Sequence, residues 1–352
     1  MKANTGASPR RKRGWAGFIL IAILAVGAAA FVELQRPPSS GAVGARVQVA
    51  IPDGATASQI AAILQQNGLI RYREGFRIEA CMLGKESLLK AGRYEFTVGQ
   101  SVRSILEAVA SGRVVMTRIT IPEGSTARQI AHIFAVSGLA QEAEAMALVN
   151  DPPKEIREAY PFLPYGESLE GYLFPDTYEF ADGVSPLRII RAMLAQFQKT
   201  AGAAFDKASF HPSALSDRDA LILASVVEKE AKAPEERSII AQVFLNRLER
   251  GMPLQSCATV QYLLPVPKER LLNTDLEIDS PYNTYINKGL PPGPISNPGL
   301  ASITAVLTPK PGDYLYFVAA GDGSHIFSRT YEEHLRAKAK VERGARLAKK
   351  KQ

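Results

Sequence analysis

Apolar positions fall into three regimes along the chain. Trp15 to Val32 is uncharged and almost wholly apolar; Val49 to Ala140 alternates short strand-like and helix-like runs; Ala220 to Leu248 thickens into two helices. In the first regime, 18 residues at ~1.5 Å each span ~27 Å, close to the thickness of a bilayer core. Arg10-Arg11-Lys12-Arg13 precedes the run, and Glu33 and Arg36 follow it. Positive charge stays on the cytoplasmic side, so the pattern predicts a single span with the N-terminus inside and the rest outside. The alternative is a cleaved signal peptide, favoured by Ala28-Ala29-Ala30, but the apolar core is longer than such peptides need. Pro37 to Gly44 then reads as a linker.

The middle regime contains an internal repeat. Val49 to Ile70 reads VAIPDGATASQIAAILQQNGLI, and Ile119 to Ala140 reads ITIPEGSTARQIAHIFAVSGLA. Each copy predicts a strand, a Pro-acid-Gly turn, a Thr or Ser cap and an amphipathic helix closed by Gly. Gly92 to Phe96 alternates like another strand, and Ser101 to Ala110 reads as a helix. A strand-helix-helix-strand pattern suits a LysM-like glycan-binding module, and equally a compact α+β spacer.

The third regime is LILASVVEKEAKAPEERSIIAQVFLNRLERG, Leu221 to Gly251. Ser216 and Asp219 have capping-box spacing, which starts a helix near Asp217. Ala220 to Val227 is apolar on all sides, so these turns are buried. Pro234, with Glu235 and Glu236, opens a second helix that Gly251 stops. Between them, Glu228 and Glu230 point to nearly opposite faces. Glu230 continues the row Leu223, Val226, Val227; a carboxyl resting on aliphatic groups loses solvation, which favours the protonated form a general acid needs. Glu228 lies under Ala224 and Ser225. Spacing alone also allows both to be ordinary solvated residues at a helix end.

Asp151 to Tyr165 reads as a proline-rich loop. In LEGYLFPDTYEF, Leu169 to Phe180, aromatic and acidic residues around Pro175 suit either a saccharide cleft or a strand-turn core. Leu254 to Tyr262 and Ser280 to Tyr285 carry Gln, Thr, Tyr and Asn, and the Pro-Gly density of Gly289 to Gly299 fixes a loop; long rigid loops with such residues are where binding groups tend to sit. Asp313 to Val318 is a closing strand, turned by Gly321-Asp322-Gly323 into His325 to Phe327, and a helix follows from Tyr331.

At 352 residues, length allows two modest domains. The formal charge of +7 sits largely in the two tails, which read as membrane-surface and solvated segments; no nucleic-acid-binding motif lies between them. Cys81 and Cys257 lie in no paired motif. HExxH, Gly-x-Ser-x-Gly, P-loop and dinucleotide signatures are absent, as is any Cys/His cluster, so neither cofactor nor metal is expected. His132 stands where the first repeat has Ala62, which favours a structural role. Carboxylate chemistry on a polar, sugar-like polymer remains.

With these blocks in view, the chain resembles the endolytic murein transglycosylases of the YceG-like family. The matching blocks are the N-terminal anchor, LEGYLFPDTYEF, LASVVEKEA, VFLNRL, LQSCATVQY, PYNTYINKGLPPGPISNPG and YLYFVAAGDGSHIFS, in family order. The resemblance implies cleavage inside peptidoglycan glycan strands that leaves 1,6-anhydro ends, with Glu230 as the catalytic residue and Glu228 as second choice. It implies glycan contacts by Gln255, Thr259, Tyr282, Asn283, Thr284 and Tyr285. Where the family commonly has Asp, this chain has Cys257, which puts an essential acid there in doubt. The expected fold is α+β: basic tail 1–14, transmembrane helix 15–32, linker 33–46, LysM-like subdomain 47–115, catalytic domain 116–345 and basic tail 346–352. Expected partners are glycan strands, the cytoplasmic membrane and cell-wall synthesis proteins. Two other readings stay open, a non-catalytic glycan-binding scaffold and a muramidase-type hydrolase.

Overall fold

The computed structural model describes residues 11–36, 38, 44–208 and 215–349, the first ten by backbone alone. Residues 1–10 and 350–352, most of the stretch from Pro37 to Gly44, and His211 fall outside them. The fold is mixed α+β with three two-stranded sheets among the described residues. Two compact units divide it, one formed by Met1–Thr117 with Ala181–Gly183, the other by Arg118–Phe180 and Val184–Gln352.

The first unit holds α1 (Arg11–Leu34), β1 (Arg46–Ile51), α2 (Ala57–Gln66), α3 (Arg73–Met82), β2 (Gly92–Thr97) and α4 (Val102–Ser111). Trp15 to Val32 is helical within α1. No helix is long and apolar enough to cross a membrane among the described residues, of which 15–20 in this segment are described by backbone alone. The end of α1 rests on α3: a Cβ at Gly75 would collide with the Leu34 carbonyl, and Gln35 Nε2 donates to Glu79 Oε2 at 2.8 Å. β1 and β2 pair antiparallel from Arg46↔Thr97 to Ile51↔Gly92. Alternation turns Val49, Ile51, Tyr94 and Phe96 inward, onto Ile60, Leu64, Phe76, Ile105 and Leu106.

The second unit holds most of β3 (Met116–Thr120), then α5 (Ala127–Val136), α6 (Glu142–Asn150), α7 (Lys154–Ala159), β4 (Thr177–Ala181), α8 (Pro186–Phe197), α9 (Ala203–Lys207) and α10 (Asp217–Glu230). There follow α11 (Arg237–Glu249), α12 (Cys257–Leu263), α13 (Leu300–Leu307), β5 (Tyr316–Ala319), β6 (His325–Ser328) and α14 (Tyr331–Lys349). The repeat is structural. Thr56 with Gln59, and Thr126 with Gln129, form the same capping box, after turns in which Gly54 and Gly124 hold φ of 72° and 73°. Yet the copies feed separate cores, one into the cluster around Phe76, the other into that around Phe134 and Leu223.

α10 is the buried axis of the second unit. Ser216 caps it, accepting from the Asp219 N–H, and Ala220 to Val227 are all buried. It packs on α11, α12 and α13. Pro234–Glu236 forms a 3-10 turn, so α11 begins at Arg237 rather than Pro234. Asp151 to Tyr165 is not all loop: α7 forms behind Pro152-Pro153, with Ile156 buried. Leu169 to Phe180 takes the core alternative for its first half, with Leu169, Glu170, Tyr172, Leu173 and Phe174 buried.

Asn297 knots this unit together from full burial. Its Oδ1 accepts from the Leu173 N–H at 2.8 Å, and its Nδ2 donates to Ser125 O and Glu170 Oε1, both at 2.9 Å. Its backbone bonds with that of Ser125 and Gly124. Gly171, at φ 90°, lets the Pro294 ring lie against the backbone where a Cβ would overlap it. These contacts set the loop of residues 289–299 against α10, since Ile295 N–H donates to Ser225 Oγ at 3.0 Å.

Candidate functional site

The C-terminal end of α10 opens into a cleft of 460 Å³ lined by Glu230, Arg247, Gln255, Cys257, Tyr285, Tyr316, His325, His334 and Lys338, among others. Glu230 is the one carboxylate among its described lining residues. Its Oε1 accepts from Ser256 Oγ at 2.5 Å and, more weakly, from the Ala258 N–H at 3.4 Å. Oε2 makes no hydrogen bond among the described residues. The surroundings therefore differ from those the helical row suggests: a hydroxyl and an amide meet the carboxyl. Helix periodicity sees only a helix's own neighbours, and here the 252–256 loop folds over the helix end.

That loop is held from behind. Gln255 N–H donates to Thr284 O and Ser256 N–H to Thr284 Oγ1, both at 3.0 Å. Thr259 Oγ1 meets Thr284 Oγ1 at 2.9 Å. Asn283 Nδ2 donates to Leu276 O and Ile278 O, each at 2.9 Å. Thr259, Asn283 and Thr284 are thus buried, with their polar atoms engaged by neighbouring protein groups. Tyr282 packs on Tyr262 at 5.3 Å and does not line the cleft. Of the sequence-predicted residues, the fold brings Glu230, Gln255 and Tyr285 together, with Cys257 among them. Gln255 holds φ 49°, the left-handed conformation that elsewhere among the described residues only glycines adopt.

Cys257 Sγ and Tyr285 Oη lie 3.0 Å apart. Burial, and after it the nearby Glu230 carboxylate, pushes the Cys257 thiol above its ordinary value; the hydrogen bond from Tyr285 opposes this. Tyr285 is raised too, by burial first. Neither Cys257 nor Cys81 is in a disulfide.

Glu228 is enclosed elsewhere. Its side chain is 7% exposed, Oε2 accepts from the Gly299 N–H at 3.0 Å, and Oε1 lies 3.9 Å from Arg237. It faces Glu123, whose carboxyl is raised by burial and then by the Glu228 charge. The opposite orientation of the two glutamates follows the predicted register; the polar company of Glu228 comes from distant loops.

Sequence reasoning did not single out Arg247, Tyr316, His334 or Lys338, and took His325 only as part of a hairpin. His325 Nδ1 lies 2.7 Å from Glu236 Oε2, and its N–H donates to Glu236 Oε1 at 3.0 Å. The available signal was that charged or aromatic residues recur around the closing hairpin, which the β5–β6 pairing folds beside α11. No cluster of residues able to hold a metal exists among the described residues. His132 is exposed and pairs with Glu142 at 3.1 Å.

A second carboxyl, Glu170, is buried between the repeat helix and the knot. It accepts from the Ala127 N–H at 3.0 Å, from Asn297 Nδ2 and from Tyr262 Oη. Burial outweighs these bonds and raises its pKa from 4.5 to about 7. The folded value exceeds the unfolded one, so the stability it confers is complete below pH 4.5 and lost as pH rises through about 7. Glu170→Gln keeps acceptors for Ala127 and Asn297 and does not titrate. Between pH 4.5 and pH 8 the wild type is expected to lose about 3 kcal/mol relative to this variant. Urea unfolding of both proteins across that range checks this; parallel pH trends would refute it.

The comparisons with known proteins agree with one another. The YceG-like family model matches residues 49–340. An endolytic murein transglycosylase of Bacillus subtilis is 37% identical over 306 residues, covering 84% of this chain and 84% of that one. One from Streptococcus pneumoniae is 34% identical over 316 residues, covering 82% of this chain and 57% of its own. A crystal structure of a YceG-like protein from Listeria monocytogenes superposes with a TM-score of 0.58 at 36% identity, over 83% of this chain and 99% of that one. A family match across most of the chain, with sequence and structural likeness over the same extent, places it: the chain belongs to the YceG-like family.

Proposed function

We propose that the chain is a lytic transglycosylase that cuts the β-1,4 bond between N-acetylmuramic acid and N-acetylglucosamine within peptidoglycan strands. It is held at the outer face of the cytoplasmic membrane by Trp15 to Val32, and the unit around β1 and β2 serves as a LysM-like glycan-binding module. The observation that carries the reaction is the single carboxylate in the cleft. Glycosidases that hydrolyse their substrate ordinarily pair two carboxyl groups ~5–9.5 Å apart, one of them a nucleophile or base. A lytic enzyme needs only one, because the C6 hydroxyl of the muramic acid attacks its own anomeric carbon.

Glu230 then performs two proton transfers. Its acid form protonates the leaving glycosidic oxygen, and the resulting carboxylate takes the proton of the C6 hydroxyl as the 1,6-anhydro ring closes. Ser256 donates to Oε1, which fixes the carboxyl plane and leaves Oε2 as the proton-carrying oxygen. The names of the relatives support the same substrate. Mass spectrometry of purified peptidoglycan digested with the full-length chain in detergent tests this. Anhydro ends are expected; reducing ends would make the protein a hydrolase, and intact strands a scaffold.

A further inference from the structure

Arg247 is a buried cation without an acidic partner. It is 7% exposed, and its Nε donates to Leu315 O at 2.6 Å and its Nη1 to Leu254 O at 2.7 Å. No carboxylate pairs with it among the described residues, and its Nη2, with two N–H groups, makes no hydrogen bond there. Burial disfavours its charge, as the lowered pKa reflects. Carbonyl dipoles and the Tyr316 ring, whose centroid lies 5.2 Å from the guanidinium carbon, only partly offset that cost. His334 stacks on the same ring at 5.4 Å, and its Nδ1 is buried with no partner. Lys338, one turn further along α14, lines the same cleft and is exposed. One wall of the cleft therefore presents two cations with the His334 ring beside them, while Glu230, the lone acid of the cleft, is bonded to Ser256.

We propose that Arg247 and Lys338, with the His334 ring packed beside them, form a carboxylate-binding subsite next to Glu230, which takes an anionic substituent of the bound strand. It rests on the peptidoglycan reading, in which such a group is either the lactyl carboxylate of a peptide-free muramic acid or a carboxylate of the attached peptide. A planar guanidinium with open N–H donors forms short, charge-assisted bonds to a carboxylate, and neutralising the charge in place removes the desolvation cost left by folding. The subsite would select the anionic strand and set its register relative to Oε2 of Glu230.

The test measures binding by the full-length Glu230→Gln protein, which leaves the strands uncut. Four strand preparations serve as probes: peptide-free and peptide-bearing strands, each with free carboxylates and with carboxyl groups chemically amidated. Anionic strands are expected to bind about tenfold more tightly than amidated ones. Tight binding of the peptide-free strands identifies the lactyl group as ligand; tight binding of the peptide-bearing strands alone identifies the peptide. Arg247→Lys and Lys338→Gln should each narrow the gap between anionic and amidated strands by about threefold. Lys338 is on the surface, so its variant decides the matter even if Arg247→Lys fails to fold. Equal affinity for anionic and amidated strands overturns the subsite, and so does an unchanged gap in Lys338→Gln. Cleavage by the wild type is scored in parallel. A protein that cuts both strand types but binds them equally loses the subsite alone, whereas one that prefers anionic strands yet cuts none keeps the subsite and loses the transglycosylase assignment.

Discussion

Glu230→Gln is expected to slow release of anhydro ends by about 10²–10⁴-fold while leaving the fold intact. The amide is the same size, and its oxygen can still accept from Ser256 Oγ and the Ala258 N–H. What it lacks is a proton to give to the leaving oxygen. Glu228→Gln is expected to behave the opposite way. That side chain is bonded to Gly299 N–H and enclosed near Arg237, away from the cleft, so its loss should be read in stability and little in rate. Rates of product release, paired with thermal melts, separate the two. An inactive Glu228→Gln beside an active Glu230→Gln would overturn the assignment, and two active variants would remove the single-acid mechanism.

The largest effect on stability is expected at Asn297. Replacing it with Ala leaves the buried Leu173 N–H without its acceptor and takes one of two donors from the Ser125 carbonyl and from Oε1 of Glu170, which keep the backbone N–H of residue 297 and the Ala127 N–H. The unmade Leu173 N–H costs about 1–3 kcal/mol and each of the two lost second bonds about 0.5–1.5 kcal/mol, so the sum should be about 2–5 kcal/mol. Urea unfolding near pH 5, where Glu170 is held protonated, gives the cleanest reading. A loss below ~1 kcal/mol would mean that the loop finds another anchor.

Much of the fold was legible because its signals are local. Ser216 and Asp219 start α10, Thr56 and Thr126 start the repeat helices, and Gly321-Asp322-Gly323 turns the last hairpin. α3 was missed because Tyr72 gives it no side-chain cap and its surface is charged, so Phe76 and Ala80 hide among polar neighbours. α7 was missed because Pro152-Pro153 reads as the start of a loop as readily as the entry to a helix. In the site, helical spacing correctly separates Glu228 from Glu230, since angle per residue is a property of one helix. It cannot see that Ser256 folds onto Glu230, that Glu228 meets Gly299, or that Arg247 and Lys338 share a cleft, because those are encounters across long stretches of chain. Composition has the same limit: Thr259, Asn283 and Thr284 are residue types that bind ligands, and here Thr259, on α12, and the two loop residues turn their polar groups inward to brace the site.

The Asn297 knot also imposes an order on synthesis. Its partner Ser125 lies 172 residues earlier in the chain. At ~5–20 residues per second, the ribosome needs roughly 10–35 s to supply Asn297 after Ser125 has emerged. The core around Phe76 has no such wait, since its buried residues end at Val109. The nascent chain thus completes one hydrophobic core early, while Ile130, Phe134 and Leu173 stay without their closing loop until late. A chain stalled or cut before residue 297 would carry a finished first unit joined to an apolar, unclosed second one, the kind of intermediate that chaperones and proteases recognise.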